Sequence, residues 1–357
     1  MICGNCGSEQ KDGAKFCTKC GAKLTPPAGE KNVGSRGPLS ATEALVAVVA
    51  TVVVGAVVIV AGLTTNWFGL AAPASQAVTD TAAQVGLQPN EGGAGVPTAA
   101  PEASSEPEVR AAVADYSWEE LSEISRLISS AASDSEAVAI AARYHLCAED
   151  GTLDGTQTKS FTLANGTSVT MRVTGFNQDE LSSGSGRAGI TFSSSAPVAT
   201  RAYNASGSTA GGWRDSELRA WMNGELLGLL PDEVAAAVVP VDKPTNAVGE
   251  TSDGSAVVMT SDTLWTLSYS ELGGAMSTGD PHDAVFNAEG EQYQLFANQG
   301  VRWDGPNSFL QMSGGMWWER TPDPMDGRFV MCVGEDGAPW CAHAPYKEFG
   351  VVLCFCV

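Results

Sequence analysis

Basic residues are scarce in this chain of 357 residues: 20 Lys and Arg stand against 41 Asp and Glu, for a formal charge of −21. A surface so acidic repels the phosphate backbone, which excludes nucleic acid as a partner. Histidine is scarcer still. The only three are His145, His282 and His343, and none stands at a diagnostic spacing from a metal ligand or nucleophile. No phosphate loop and no nucleophile–base pair is legible, so the expectation is a protein that is not an enzyme and has no catalytic residue. Lys and Arg are absent between Arg36 and Arg110, and aromatic residues are absent from 71–115. Such a stretch cannot bury enough apolar surface to offset the entropy of ordering. Residues 64–115 therefore read as a disordered stalk.

What the chain does have, at residues 44–63, is ALVAVVATVVVGAVVIVAGL, with no charge and only Thr51 more polar than Ala or Gly. At about 1.5 Å per residue a helix of that length spans a bilayer core, and the expectation is one transmembrane helix. Lys11, Lys15, Lys19, Lys23, Lys31 and Arg36 precede it. The positive-inside rule then places the N-terminus in the cytoplasm and the body outside, at the cell membrane. Ahead of the run, Cys3-Gly-Asn-Cys6-Gly7 and Cys17-Thr-Lys-Cys20-Gly21 form two knuckles. Four thiolates so spaced close a tetrahedral site, which predicts structural zinc on Cys3, Cys6, Cys17 and Cys20 in a domain at 1–24. Two disulfides are the rival reading, and the reducing compartment counts against it. Residues 25–43, rich in Pro, Gly and Ser, read as a cytoplasmic linker.

The body, 116–357, reads as one extracytoplasmic α+β domain. Ser117 with Glu120 and Ser133 with Glu136 have the spacing of capping boxes, each followed by an amphipathic stripe, so 116–146 is a two-helix prefix. Short strands then alternate with turn chemistry. Asn165-Gly166 predicts a type I′ hairpin. A helix is expected over Trp213–Asn223, and strands over Ala237–Asp242, Leu264–Leu267, Arg328–Val333 and Gly350–Val357. Helices early and strands late make α+β rather than alternating α/β.

The head, CGNCGSEQKDGAKFCTKCGAKL, closely resembles the short zinc ribbon found at the N-termini of many bacterial membrane proteins, which implies a closed zinc site with a stabilising or docking role. At GGWRDSELRAWMN, VVPVDKPTN, SDTLWTLSYSEL, GEQYQLF, WWERTPDP and GVVLCFCV, in that order, the body resembles the uncharacterised bacterial domain family numbered 6273, over roughly 116–357. That resemblance implies an exported, often membrane-tethered surface domain. Leu353 stands where it would place a proline. The same segments look distantly like the C-type-lectin-like fold shared with formylglycine-generating enzymes, an analogy of fold that transmits no function.

Flat rings suit sugars and peptides. Trp317, Trp318, Glu319 and Arg320 are accordingly the candidate binding residues, with Glu319 and Arg320 read as an ion pair orienting the loop. The lectin calcium strings are absent, and Asp150 and Asp154 give only a weak echo of a calcium loop. Five cysteines lie in the body, Cys147, Cys332, Cys341, Cys354 and Cys356, with no reactive pair legible, and burial is the expectation. The functional expectation is a membrane-anchored cell-surface protein. Its partners would be the lipid bilayer and a cell-wall, glycan or protein ligand bound by the outer domain. Its rivals are an enzyme acting on a wall polymer or exported protein, and a signalling or scaffold protein docking through the ribbon.

Overall fold

A computed structural model describes residues 106–357. The expectations for the zinc ribbon at 1–24, the linker at 25–43, the span at 44–63 and the stalk up to residue 105 lie outside the described residues.

Two helices lead. Ser117 caps α1 (Trp118–Ser129): its hydroxyl accepts from the Glu120 N–H at 3.0 Å, and the Glu120 carboxylate accepts from the Ser117 N–H at 2.7 Å. Ser133 caps α2 (Asp134–Arg143) in the same way, but the Glu136 carboxylate turns back to the Ala132 N–H at 2.8 Å, one residue short of a closed box. Trp118, Leu121, Ile124 and Ile128 form the buried stripe of α1. Trp118 meets Phe192 and Phe355 edge-on, with centroids 5.6 and 5.7 Å away.

The α+β class holds, and the transmembrane helix included in that expectation is corrected. Among the described residues no helix is long and apolar enough to cross a membrane. The longest of them, α1, has 12 residues and carries Glu and Arg opposite its buried stripe. Among the described residues, 106–115, inside the segment read as stalk, pack on the domain. Arg110 pairs with Glu120 at 2.6 Å, its N–H donates to the Tyr116 hydroxyl at 2.8 Å, and Lys159 reaches the Ala114 carbonyl at 3.2 Å. Low aromatic content missed these residues because neighbouring elements supply their partners.

Strands β1 (Thr158–Thr162), β2 (Ser168–Glu180) and β3 (Arg187–Ser194) make an antiparallel meander. The turn joining β1 to β2 is not type I′, which requires positive φ at both central residues. Gly166 has φ 87°, whereas Asn165 is not among the positive-φ residues. The Gly166 N–H closes on the Leu163 carbonyl at 2.8 Å, giving a longer, bulged hairpin. After β4 (Ala199–Ala202), the helix expected at Trp213 starts later, as α3 (Glu217–Trp221), because the Ser216 hydroxyl caps the Arg219 N–H at 3.0 Å.

The elements that follow are α4 (Asp232–Ala235), β5 (Val241–Asn246), β6 (Val257–Asp262), α5 (Tyr269–Gly273), α6 (Asp283–Asn287) and α7 (Gln294–Asn298). The chain then runs through β7 (Trp317–Pro322), β8 (Val330–Val333), β9 (Cys341–His343), β10 (Glu348–Val351) and β11 (Cys354–Cys356). Leu264–Leu267, expected as a strand, makes only a single bridge, Trp265 to Cys354.

Three sheets result: β1-β2-β3-β11, β4-β10-β7-β8-β9 with β10 parallel to β7, and the β5-β6 ribbon. The terminal stretch expected as one strand is split at Val352–Leu353, so that its two halves serve different sheets. Leu353 donates its N–H to the Ser194 hydroxyl at 3.0 Å, a bond that proline lacks.

Candidate functional site

Between the β2–β3 meander and the β5–β6 ribbon lies a cleft of about 430 Å³. Asp179, Lys243 and Glu271 form its floor, and with Arg320 behind them they make a buried charge network built from four separate elements. Lys243 of β5 places Nζ 2.6 Å from Asp179 of β2 and 2.5 Å from Glu271 of α5. It also donates to the Tyr293 hydroxyl at 2.9 Å, and Tyr293 donates onward to Asp179 at 2.8 Å. Glu271 is the N3 residue of α5, and in the capping box with Ser268 its carboxylate also accepts from the Ser268 N–H at 3.0 Å. Arg320 of β7 takes the other side of that carboxylate and also donates to the carbonyls of Pro244 at 3.1 Å, Glu289 at 2.6 Å and Thr266 at 3.3 Å.

Asp179, Lys243, Glu271 and Arg320 cancel in charge, and each is almost wholly buried. Burial by itself would raise both carboxyls, but Lys243 with the Thr191 and Tyr293 hydroxyls outweighs it at Asp179, Arg320 with Lys243 outweighs it at Glu271, and both are held below the usual carboxylate range. The same balance raises Lys243: burial pulls it down, and Asp179 and Glu271 more than offset that pull.

Asp179 reaches the floor because β2 is irregular there. The register with β3 shifts between Phe176 and Asp179, and Asn177 adopts φ 53°. A bulge of this kind re-aims the side chains that follow it, and asparagine tolerates the left-handed conformation better than most residues. The Thr191 hydroxyl then locks Asp179 from β3 at 2.6 Å.

The rim differs from the floor. Asp134, Glu180 and Glu291 are exposed and Asp242 is half-buried, against a single exposed cation, Arg187, which pairs with Glu180 at 2.7 Å. Met259, 67% exposed, adds one apolar contact. The cleft is therefore neutral at its base and anionic at its mouth.

None of the four residues expected to bind a partner lines this cleft. Trp317, Trp318, Glu319 and Arg320 are all fully buried. Trp317 donates its indole N–H to the Leu310 carbonyl at 3.0 Å, and Trp318 to the Arg201 carbonyl at 2.9 Å. Arg320 pairs with Glu271, so the expected Glu319–Arg320 pair is corrected. Glu319 is left with neither carboxylate oxygen hydrogen-bonded, and burial, then Glu289 and Cys341, push it well above the usual carboxylate range. The four N-terminal cysteines lie outside the described residues.

Sequence reasoning missed the Lys243 network and one further grouping. Cys332 and Cys341 are directly opposed across β8 and β9, and with His343 their ligand atoms lie within 4.8 Å of one another. The Glu335-Asp336-Gly337 turn between the two cysteines was the available signal, since it folds the segment into a hairpin.

A second buried acid has a consequence for pH. Burial pushes Glu289 up to about 7, against the pull of Arg320 and of the Asn246 N–H that it accepts at 2.6 Å. Its folded pKa lies above the ordinary value of 4.5, so the folded state holds a proton that the unfolded chain has lost. Stability is therefore full below about pH 4.5 and falls as pH rises to 7, by roughly 3 kcal/mol for a shift of this size. Asp179 and Glu271, held low, add no slope in that window. Urea unfolding should show wild type losing stability between about pH 5 and pH 8, and Glu289→Gln losing correspondingly less. Equal losses in the two proteins would refute the assignment.

Residues 189–357 match the family described as Domain of unknown function (DUF6273), and residues 2–24 match the zinc-ribbon domain. A zinc ribbon implies a bound metal. No curated protein and no solved structure matches the chain, and the lectin-like likeness gains no support.

Proposed function

We propose that the domain over residues 106–357 acts by binding, and that its cleft takes a cationic group, such as the lysine or arginine side chain of a peptide. The observation that carries this reading is the contrast between floor and rim. Asp179, Lys243, Glu271 and Arg320 balance one another and call for no counter-ion, whereas Asp134, Asp242 and Glu291 at the mouth have no cation beyond the already paired Arg187. A charge held over a low-dielectric floor acts on a ligand more strongly than one on open surface. The fixed network beneath also lets the cleft bind without first reorganising. Residues 2–24 are read, in the same proposal, as the holder of a structural zinc on Cys3, Cys6, Cys17 and Cys20, four thiolates being a closed donor set.

Calorimetric titration of the full chain tests the cleft. Lysine-rich peptides should bind, and binding should weaken as salt rises toward a Debye length of about 8 Å. The double variant Asp242→Asn, Glu291→Gln should bind about tenfold more weakly while unfolding like wild type. Glutamate-rich peptides or neutral oligosaccharides binding as well as the basic peptides would sink the reading.

A further inference from the structure

We propose that Cys332, Cys341 and His343 form a zinc site at the β8–β9 hairpin, with Glu319 as its carboxylate partner. This site uses none of the residues that line the cleft and none of the N-terminal cysteines. Three observations carry it.

The first is the donor set. Two thiols and an imidazole converge within 4.8 Å, a spread that one tetrahedral ion bridges with bonds of about 2.0–2.3 Å. The hairpin brings them together: Cys332 faces Cys341 across the ladder, and His343 follows two residues on, on the same face of β9. Sulfur with nitrogen suits zinc and disfavours magnesium or calcium, which take oxygen ligands.

The second is Glu319. It is fully buried, and neither of its oxygens has a hydrogen-bond partner. It sits on the strand next to β8, one residue after Trp318, which pairs with Cys332. The β7 ladder is irregular at this point: the stretch from Trp318 to Pro322 faces the shorter stretch from Cys332 to Val330, so Glu319 is released from strict alternation. Arg320, the adjacent cation, is committed to Glu271. A buried carboxylate without a partner is costly, and a cation held by the neighbouring thiolates is what would answer it.

The third is access. Cys332 is buried, but Cys341 and His343 are half-buried, which leaves an entry for the ion. The His343 ring is steadied edge-on against Phe349, with centroids 5.1 Å apart. On binding, the two thiols release their protons to solvent and their thiolates offset the charge of the ion. The fourth position falls to a water, with the Glu319 carboxylate as the charge on the neighbouring strand. A disulfide between Cys332 and Cys341 is the rival use of the pair, and it gives neither His343 nor Glu319 any part.

The full chain, stripped of metal and kept reduced, tests this with zinc alone as the probe. About two zinc equivalents per chain are expected, one for the N-terminal ribbon and one for the hairpin. Cys3→Ser with Cys6→Ser should remove one equivalent, and His343→Ala or Cys341→Ser the other. Cobalt substituted into the ribbon variant should still give thiolate-to-metal charge-transfer bands, and should lose them on addition of His343→Ala. Glu319→Gln, which keeps the shape of the side chain, should weaken the hairpin site by roughly 10–100-fold. Near-UV circular dichroism identifies any variant that fails to fold, and the Gln variant then carries the test. One equivalent in wild type, unaffected by His343→Ala and by Glu319→Gln, would overturn the proposal. So would a Cys332–Cys341 disulfide in protein alkylated at lysis, with no second equivalent taken up after reduction.

Discussion

Replacing Lys243 with methionine should cost the domain about 3–5 kcal/mol, the range for breaking a buried ion pair by removing one partner. Nζ lies 2.6 Å from Asp179 and 2.5 Å from Glu271, and all three side chains are almost wholly buried. Methionine fills much of the same volume, so little of the loss would come from a cavity. It would come from two carboxylates left to share one cation, Arg320, with almost none of their surface open to water. Against a typical domain stability of 5–15 kcal/mol, that loss brings the protein close to unfolding. Adding Asp179→Asn to Lys243→Met leaves Glu271 balanced by Arg320 and should recover part of the loss. Denaturant titrations of the single and double variants give the two numbers. A single variant within about 1 kcal/mol of wild type, or a double variant no better than the single, would show that the network is not held together by its charges.

Trp318→Ala is expected to cost about 3–5 kcal/mol for a different reason. Its ring packs 4.6 Å from Phe349 and meets Tyr203 edge-on at 6.0 Å, and its N–H satisfies the Arg201 carbonyl. Alanine leaves a cavity between the strands and orphans that carbonyl. Trp340, 46% exposed, serves as the control: its truncation should change stability by no more than about 0.5 kcal/mol. Equal effects at the two positions would mean that Trp318 is not the core residue its burial indicates.

Local chemistry made part of the fold legible. Ser117 with Glu120 announced α1, and the spacing of Trp118, Leu121 and Ile124 gave its buried face. Asn165-Gly166 announced a hairpin, although the turn type depended on the backbone at Asn165 and not on the dipeptide. Elements whose form depends on distant partners were read less well. Leu264–Leu267 has the composition of a strand, but its neighbour offers it one bridge. The strand over Ala237–Asp242 begins at Val241, and so carries Lys243 into the core.

The functional groups were hardest to read. A lysine between Asp242 and Pro244 looks like surface until Asp179 and Glu271 arrive from residues far away in the sequence. Cys332 and His343 become neighbours only once the hairpin forms. Trp317 and Trp318 drew attention as aromatics, and they turn out to hold the sheet together rather than to face a ligand.

The pairing of β11 with β3 sets a timetable for synthesis. Thr191 and Cys356 touch across 165 residues of chain. A ribosome adding about 5–20 residues per second needs on the order of ten to thirty seconds to cover that interval. Throughout it, β3 has emerged with β2 on one side and an open row of N–H and C=O groups on the other. An open edge of that kind, flanked by apolar Ile190 and Phe192, is a template for pairing with another nascent chain. The nascent domain is therefore most in need of a chaperone after β3 has appeared and before the residues of β11 have been made.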